Sequence, residues 1–272
     1  MIFGDGDPEF RGGAAQLALQ RAVWERSAQT LGRRGFFHGG RLIGIDDLEG
    51  LGDAQVSGIY DAVGAVIVKF IPAGLEADFI ERFAGPERRF TGWDVFIGGV
   101  AARETARAFV ENYPLAAGWK LSELTPDAPP GTITEIQAVQ EMSGVAPVPG
   151  YYQRGKAVPA VVAMLRDDMG NVVATAQAYE RHHIDSPWSG YIFAGMVAVH
   201  AAHRRKSLGT LINSFVVARA FERLNCSHVY EHARIDNLAS RGMIEASGLR
   251  VDSRYRCVMF HDVGRFGEEF TK

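Results

Sequence analysis

The chain has 272 residues, 47% hydrophobic and 22% charged, which provides for one large or two modest packed cores and excludes a disordered chain. Its formal net charge of −3, with basic residues dispersed outside the cluster Arg204, Arg205 and Lys206, gives no reason to expect nucleic acid as a partner. Two cysteines, Cys226 and Cys257, exclude a disulfide scaffold. The N-terminal stretch lacks an apolar signal core, and Lys69 and Pro72 interrupt the apolar run "AVGAVIVKFIPAG", so the expectation is a cytoplasmic protein without a membrane span.

In chain order, "GGAAQLALQRAVWERSAQTLG" reads as an amphipathic helix, because Leu17, Leu19, Val23 and Trp24 recur at near-helical spacing before Gly32. "GRRGFFHGGR" is glycine-rich but precedes a strand rather than a helix, so it reads as a hairpin or loop and is given no function. There follow an apolar strand in "AVGAVIVKFI", a helix in "GLEADFIERFAG", a strand in "WDVFIGG" and a helix in "AARETARAFVENYPL". After the strand-like "GWKLSEL", the proline-rich "ELTPDAPPG" reads as either a linker or a strand-to-helix turn.

From there the pattern is βαβββαβαβ. "TITEIQAVQEMSG" is a helix, "AVPAVVAMLRD" and "NVVATAQAYE" form a hairpin around "DMGN", and "YIFAGMVAV" is a third strand. "LGTLINSFVVARAFERL" is a helix, "SHVYEHA" a strand, "LASRGMIEASG" a short helix closed by Gly248, and "YRCVMF" the final strand.

The junction "VAVHAAHRRKSLGTLINSF" joins the strand ending at Val199 to a helix starting near Ser207, with Gly209 and Thr210 in its first turn. Unpaired amides and the positive end of the helix dipole make such a turn an anion site, and a glycine lets backbone approach phosphate oxygens closely. Arg204, Arg205 and Lys206 add charge at its mouth. Taken alone, the same residues also fit an ordinary turn with solvated basic side chains.

The stretch from Arg204 to Gly209 resembles the pyrophosphate loop (Q/R)xxGx(G/A) of the GNAT superfamily of acyl-CoA-dependent N-acyltransferases, with Ser207 in place of the first glycine. A serine fits there if that backbone position is already helical. "HARIDNLASRGMIEASGL" is similar to the family's later strand-to-helix segment through Asp236, Asn237, Ala239, Gly248 and Leu249. The resemblance covers roughly residues 118–262 and implies a GNAT fold, a mixed central sheet flanked by helices, over residues 118–272. Residues 1–117 are then expected to be an additional N-terminal α/β domain, either a degenerate copy of the fold or a lid that covers the acceptor site or mediates a homodimer.

The resemblance also implies direct transfer of an acyl group from acetyl-CoA or another acyl-CoA to an amine, without a covalent enzyme intermediate. Backbone groups of Val197 and Val199 and the side of Asn237 would meet the pantetheine arm. The loop Arg204, Arg205, Lys206, Ser207, Leu208, Gly209 and Thr210 would take the pyrophosphate. The family's usual proton donor, a tyrosine, is Ile244 here and has no proton to give. For the base, the position five residues ahead of the asparagine, a glutamate in some members, is His232, with Glu231 on the opposite strand face as second choice.

His182, His183, His200 and His203 have no carboxylate or cysteine at ligand spacing, so no metal is expected. The leading reading is an N-acyltransferase for a small-molecule amine or amino acid. The alternatives are a protein lysine or N-terminal acetyltransferase, or a weakly catalytic acyl-CoA-binding sensor suggested by Ile244 and Ser207.

Overall fold

The computed structural model describes residues 8–267. The first part of the chain runs α1 (Ala14–Glu25), α2 (Ser27–Thr30), β1 (Phe36–His38), β2 (Ile43–Ile45), α3 (Leu48–Leu51), α4 (Asp53–Val63), β3 (Ala65–Pro72), α5 (Glu76–Arg82), β4 (Arg88–Gly98) and α6 (Val100–Asn112). The second part runs β5 (Lys120–Glu123), α7 (Pro130–Met142), α8 (Gly150–Gln153), β6 (Ala160–Arg166), β7 (Val172–Tyr179) and β8 (Tyr191–Val199). It continues with α9 (Leu208–Arg223), β9 (His228–Ala233), α10 (Leu238–Ala246), β10 (Arg250–Asp262) and α11 (Val263–Phe266).

Local chemistry accounts for most of these boundaries. The helix expected over residues 12–32 breaks at Arg26 into α1 and α2. The proline-rich segment is a strand-to-helix turn, with Pro130 opening α7, where its missing N–H costs nothing. The β6–β7 hairpin turns on Asp167, whose Oδ1 accepts the amides of Met169 and Asn171, and on Gly170 at φ 87°. The apolar periodicity missed α4, whose buried face is only Val56, Tyr60 and Val63.

All ten strands join one sheet in the order β1-β2-β3-β10-β4-β9-β8-β7-β6-β5. Strand alternation gives it two covered faces. On one, α4 and α5 pack Val56, Tyr60, Phe79 and Phe83 on Val66, Val68, Val258 and Phe260. Beside them α6 and α9 pack Ala102, Ala106, Leu211, Ile212 and Val216 on Phe96, Ala163, Ala176 and Ala194. The other face carries α1, α7 and α8, with Leu19, Val23, Tyr151 and Tyr152 over Ile67, Trp93, Phe193, Tyr230 and Met259.

The expected boundary between residues 117 and 118 does not divide this sheet. Both strand partners of β10, β3 and β4, lie upstream of it, and β4 also pairs with β9 through Asp94–Gly98 against Ala233–Val229. Side chains repeat the link: Asp94 of β4 holds Arg241 of α10 and Arg256 of β10, and Arg256 also holds Glu76 at 2.9 Å.

A fragment of residues 118–272 therefore leaves β10 with no partner and β9 with an open edge. It is expected to be aggregated or molten, showing collapsed amide dispersion by proton NMR and no cooperative thermal transition. A dispersed spectrum from a monomeric fragment would refute this dependence.

Candidate active site

β8 and β9 run parallel and pair only at Tyr191–His228, Ile192–Val229 and Phe193–Tyr230, after which both continue apart. β8 stays on β7, but Thr175 faces Ala198 and Gln177 faces Gly195, so Met196 and Val197 oppose a single residue, Ala176. This β-bulge has Gly195 at φ 147° and Met196 at φ 55°, and it turns the β8 backbone toward the gap. A cavity of about 490 Å³ fills the gap on the α1 side, roofed by Gln16, the β1–β2 turn at Gly39–Leu42 and residues 143–146 after α7.

The open end of β8 leads into the basic loop. Its side chains Arg204, Arg205 and Lys206 are exposed, and α9 begins at Leu208 with no side-chain cap. The amides of Leu208, Gly209 and Thr210 have no hydrogen-bond partner among the described residues, the first closed bond being Leu211 N–H to Ser207 O at 2.9 Å. Ser207 corrects the expectation drawn from its sequence position. It is left-handed rather than helical, at φ 55° and ψ 17°, a conformation suited to the glycine it replaces. The loop is braced from α6, where Tyr113 Oη donates to Lys206 O.

A Cβ at Gly209 would lie 3.4 Å from Met243 Sδ and 3.9 Å from Val199 Cγ2, so only a small side chain fits. Val197 lines the cavity, but Val199 does not, and its carbonyl already accepts from Ser143 Oγ at 3.0 Å and Arg204 Nε at 3.3 Å. Asn237 also lines the cavity, though its Oδ1 caps α10 by accepting Ser240 N–H at 3.1 Å.

The structure separates the two candidate bases. His232 is half-buried on the cavity wall, its ring flanked by Trp93 and Phe193 with centroids at 5.5 and 5.1 Å. Its Nε2 has no hydrogen-bond partner among the described residues. Burial, and then Lys69, hold it well below the usual histidine pKa. Glu231 faces away under α9, where Asn213 Nδ2 donates to it at 2.8 Å and burial raises its carboxyl to about 7. Ile244 is 2% exposed within the core around α9 and is not part of the cavity wall.

Four basic residues not expected in the site also reach the cavity. Lys69 of β3 lies 4.5, 4.2 and 4.4 Å from the ring centres of Phe37, Phe193 and Tyr230, and donates to Tyr230 Oη at 2.7 Å. That hydroxyl also meets His182 Nε2 at 3.0 Å, and His182 Nδ1 meets Asp46, which accepts from Ser186 Oγ at 2.9 Å. Arg41 and Arg181 are two others, and Arg234, paired with Asp236 Oδ1 at 3.0 Å, is the fourth. Burial and then Arg181 lower Arg41 to about 10, so it remains charged at neutral pH. Lys69 had a visible signal, a lone lysine inside an apolar strand run.

This architecture is shared with known structures. A GCN5-related N-acetyltransferase from Kribbella flavida matches with a TM-score of 0.53 and 15% identity over 93% of this chain and 96% of that chain. A GCN5-related N-acetyltransferase-like protein from Streptococcus suis 89/1591 gives 0.54 at 13% identity, covering 96% of each chain. A tandem GNAT protein from the clavulanic acid biosynthesis pathway gives 0.52 at 14%, covering 82% of this chain and 75% of that chain. No curated protein matches the sequence.

The family model described as the acetyltransferase (GNAT) family matches residues 133–249, from α7 to the end of α10. Residues 133–249 therefore resemble a GNAT-family acetyltransferase domain. The fold it shares with the solved structures extends over nearly the whole chain.

The titrating groups around the site set an acid limit. Burial lowers His38 to about 4 from an ordinary 6.5 and holds His182 and His232 below it, so on acidification the unfolded chain takes up protons that the folded chain refuses. Their contribution is complete above 6.5 and is lost as pH falls toward the folded values. Glu231, raised from 4.5 to about 7, opposes this in the same window because it favours the fold when protonated. The histidines outnumber it, so urea midpoints are expected to fall from pH 6.5 to 4.5; a midpoint that rises would contradict the assignment.

Proposed function

We propose that this protein is an acyl-CoA-dependent N-acyltransferase for a small amine. The observation that carries the reading is the parting of β8 from β9. One gap leads outward to the unpartnered amides of α9 and inward to a roofed cavity holding an unpartnered histidine nitrogen. Acyl-CoA would supply the activated thioester. The cradle suits its diphosphate, with Leu208, Gly209 and Thr210 directing amides outward and Arg204, Arg205 and Lys206 adding charge. Val197 at the bulge and Asn237 flank the route of the arm, while Val199, its carbonyl already taken, shapes the wall beside Gly209.

His232 is assigned as the base that takes the proton from the attacking amine. It faces the cavity and is neutral at physiological pH, whereas Glu231 is walled off beneath α9. With Ile244 in the core, no phenol at that position protonates the leaving thiolate. The roof formed by α1, the β1–β2 turn and residues 143–146 favours a small acceptor over a lysine carried on a protein surface.

Gly209→Val is expected to weaken acetyl-CoA binding at least tenfold by calorimetry, about 1.4 kcal/mol, while Gly209→Ala stays folded and binds better than the valine variant. Unchanged affinity in folded Gly209→Val would overturn the assignment of the loop.

His232→Ala is expected to lower turnover with a reactive amine by about 10² while leaving acetyl-CoA affinity intact. The neutral imidazole is the active form, so the wild-type rate should be present above the pKa of His232 and lost as pH falls through it. That limb lies below the ordinary 6.5 because the folded pKa is lowered. Wild-type turnover and an unchanged pH profile in the alanine variant would remove His232 from the reaction.

A further inference from the structure

The cavity has an unbalanced charge. Arg41, Lys69, Arg181 and Arg234 line it, and among the described residues no aspartate or glutamate does. Arg234 is paired with Asp236 at 2.6 Å, but none of the other three forms an ion pair among the described residues. Asp46, which acts electrostatically on Lys69, is engaged by His182 and Ser186 and lies outside the wall. Cations withdrawn from water without a counter-ion are costly, and here they also repel one another: Arg181 lowers the pKa of Arg41, Lys69, His38 and His232.

The two guanidinium groups are held in place yet keep donors to spare. Arg181 lies over the rings of Phe193 and Tyr179, its Cζ 4.0 and 4.9 Å from their centres, and its Nε donates to Tyr152 Oη at 3.1 Å. Its two terminal nitrogens have no hydrogen-bond partner among the described residues. Arg41 reaches only the weak acceptor Met196 Sδ, at 3.7 Å. Lys69, by contrast, is committed to Tyr230 and its three rings.

We infer that Arg41 and Arg181 form a carboxylate site, and that the acceptor is a small amine carrying a carboxylate, as an amino acid does. This rests on the N-acyltransferase reading above and names its substrate class. A guanidinium pair offers the forked donors that a carboxylate takes in two parallel bonds.

Position selects the acceptor rather than the donor as the bearer of that carboxylate. Along β8 the order inward from the basic loop is Val199, Val197, the bulge and then Phe193, where β8 and β9 still pair. Arg181 lies against Phe193, at the end remote from the loop. The ring of Phe193 also touches His232, with centroids 5.1 Å apart, so a carboxylate on Arg181 sets its own amine one ring's width away, beside the proposed base.

The test pairs each of several amino acids with its amide and its decarboxylated amine, using full-length protein. Binding is read by calorimetry without acyl donor, and kcat/KM with acetyl-CoA and with succinyl-CoA. The acids are expected to bind and to react about 10²-fold better than their partners. Arg181→Gln and Arg41→Gln should bring that ratio close to one, while Arg181→Lys, which keeps charge and packing, should lie between.

Equal use of the amides or decarboxylated amines by the wild type overturns the inference. So does a preference for succinyl-CoA that disappears in Arg181→Gln, because the carboxylate is then on the donor. If the acids bind in an arginine-dependent way but no amine is acylated, the carboxylate site stands and the N-acyltransferase reading fails. If the acids neither bind nor react preferentially, the site fails whatever the activity.

Discussion

Two neighbouring strands that stop pairing inside a covered sheet leave backbone groups unmet, a cost that a fold carries only where something else meets them. β8 and β9 stop after Phe193 and Tyr230, and the rest of the molecule is arranged around the opening. The bulge at Met196 and Val197 keeps β8 anchored on β7 while turning its other edge into the gap. The same parting sends β8 into the basic loop and α9, so the unpartnered amides of α9 and the cavity are two ends of one break. β9 remains supported because its other edge is held by β4.

That support explains why the chain does not divide at residue 117. β4 takes the place beside β9, and β10 crosses back to fill the space between β3 and β4. The first part of the chain is therefore structural to the second. It also furnishes the cavity, since Phe37, Arg41, Lys69 and Trp93 all come from it. A separate lid would leave the cavity to loops, whereas here strand side chains line it.

The interior of the cavity spends stability on chemistry. Lys69 is 3% exposed, burial holds its pKa well below the ordinary lysine value, and its direct contacts are one phenol and three ring faces. Asp46 Oδ1 and His232 Nε2 are buried without partners among the described residues. The unpaired cations gather around the cavity, while the opposite sheet face under α6 and α9 is packed mainly with alanine, valine and leucine around the buried Asn213–Glu231 pair. Such a division of labour is characteristic of a site held ready for a polar guest.

Local pattern in the sequence was enough for the main strands and helices of the second half, though not for the short α8 and α11, for the basic loop leading into a glycine-containing helix, and for the strand face that His232 shares with Tyr230. These depend on alternation, helical spacing and turn residues, which act over a few positions. The sequence also marked Ser207 as a departure, but not its left-handed backbone, which is imposed by the way the loop enters α9. Arg41, Lys69 and Arg181 come from a glycine-rich turn, an apolar strand and the residues after β7. Nothing in their own neighbourhoods joins them. Only the nonlocal strand order, with β3, β10, β4, β9 and β8 laid side by side, brings them to one cavity, because hydrogen bonding between strands distant in sequence decides which side chains share a wall.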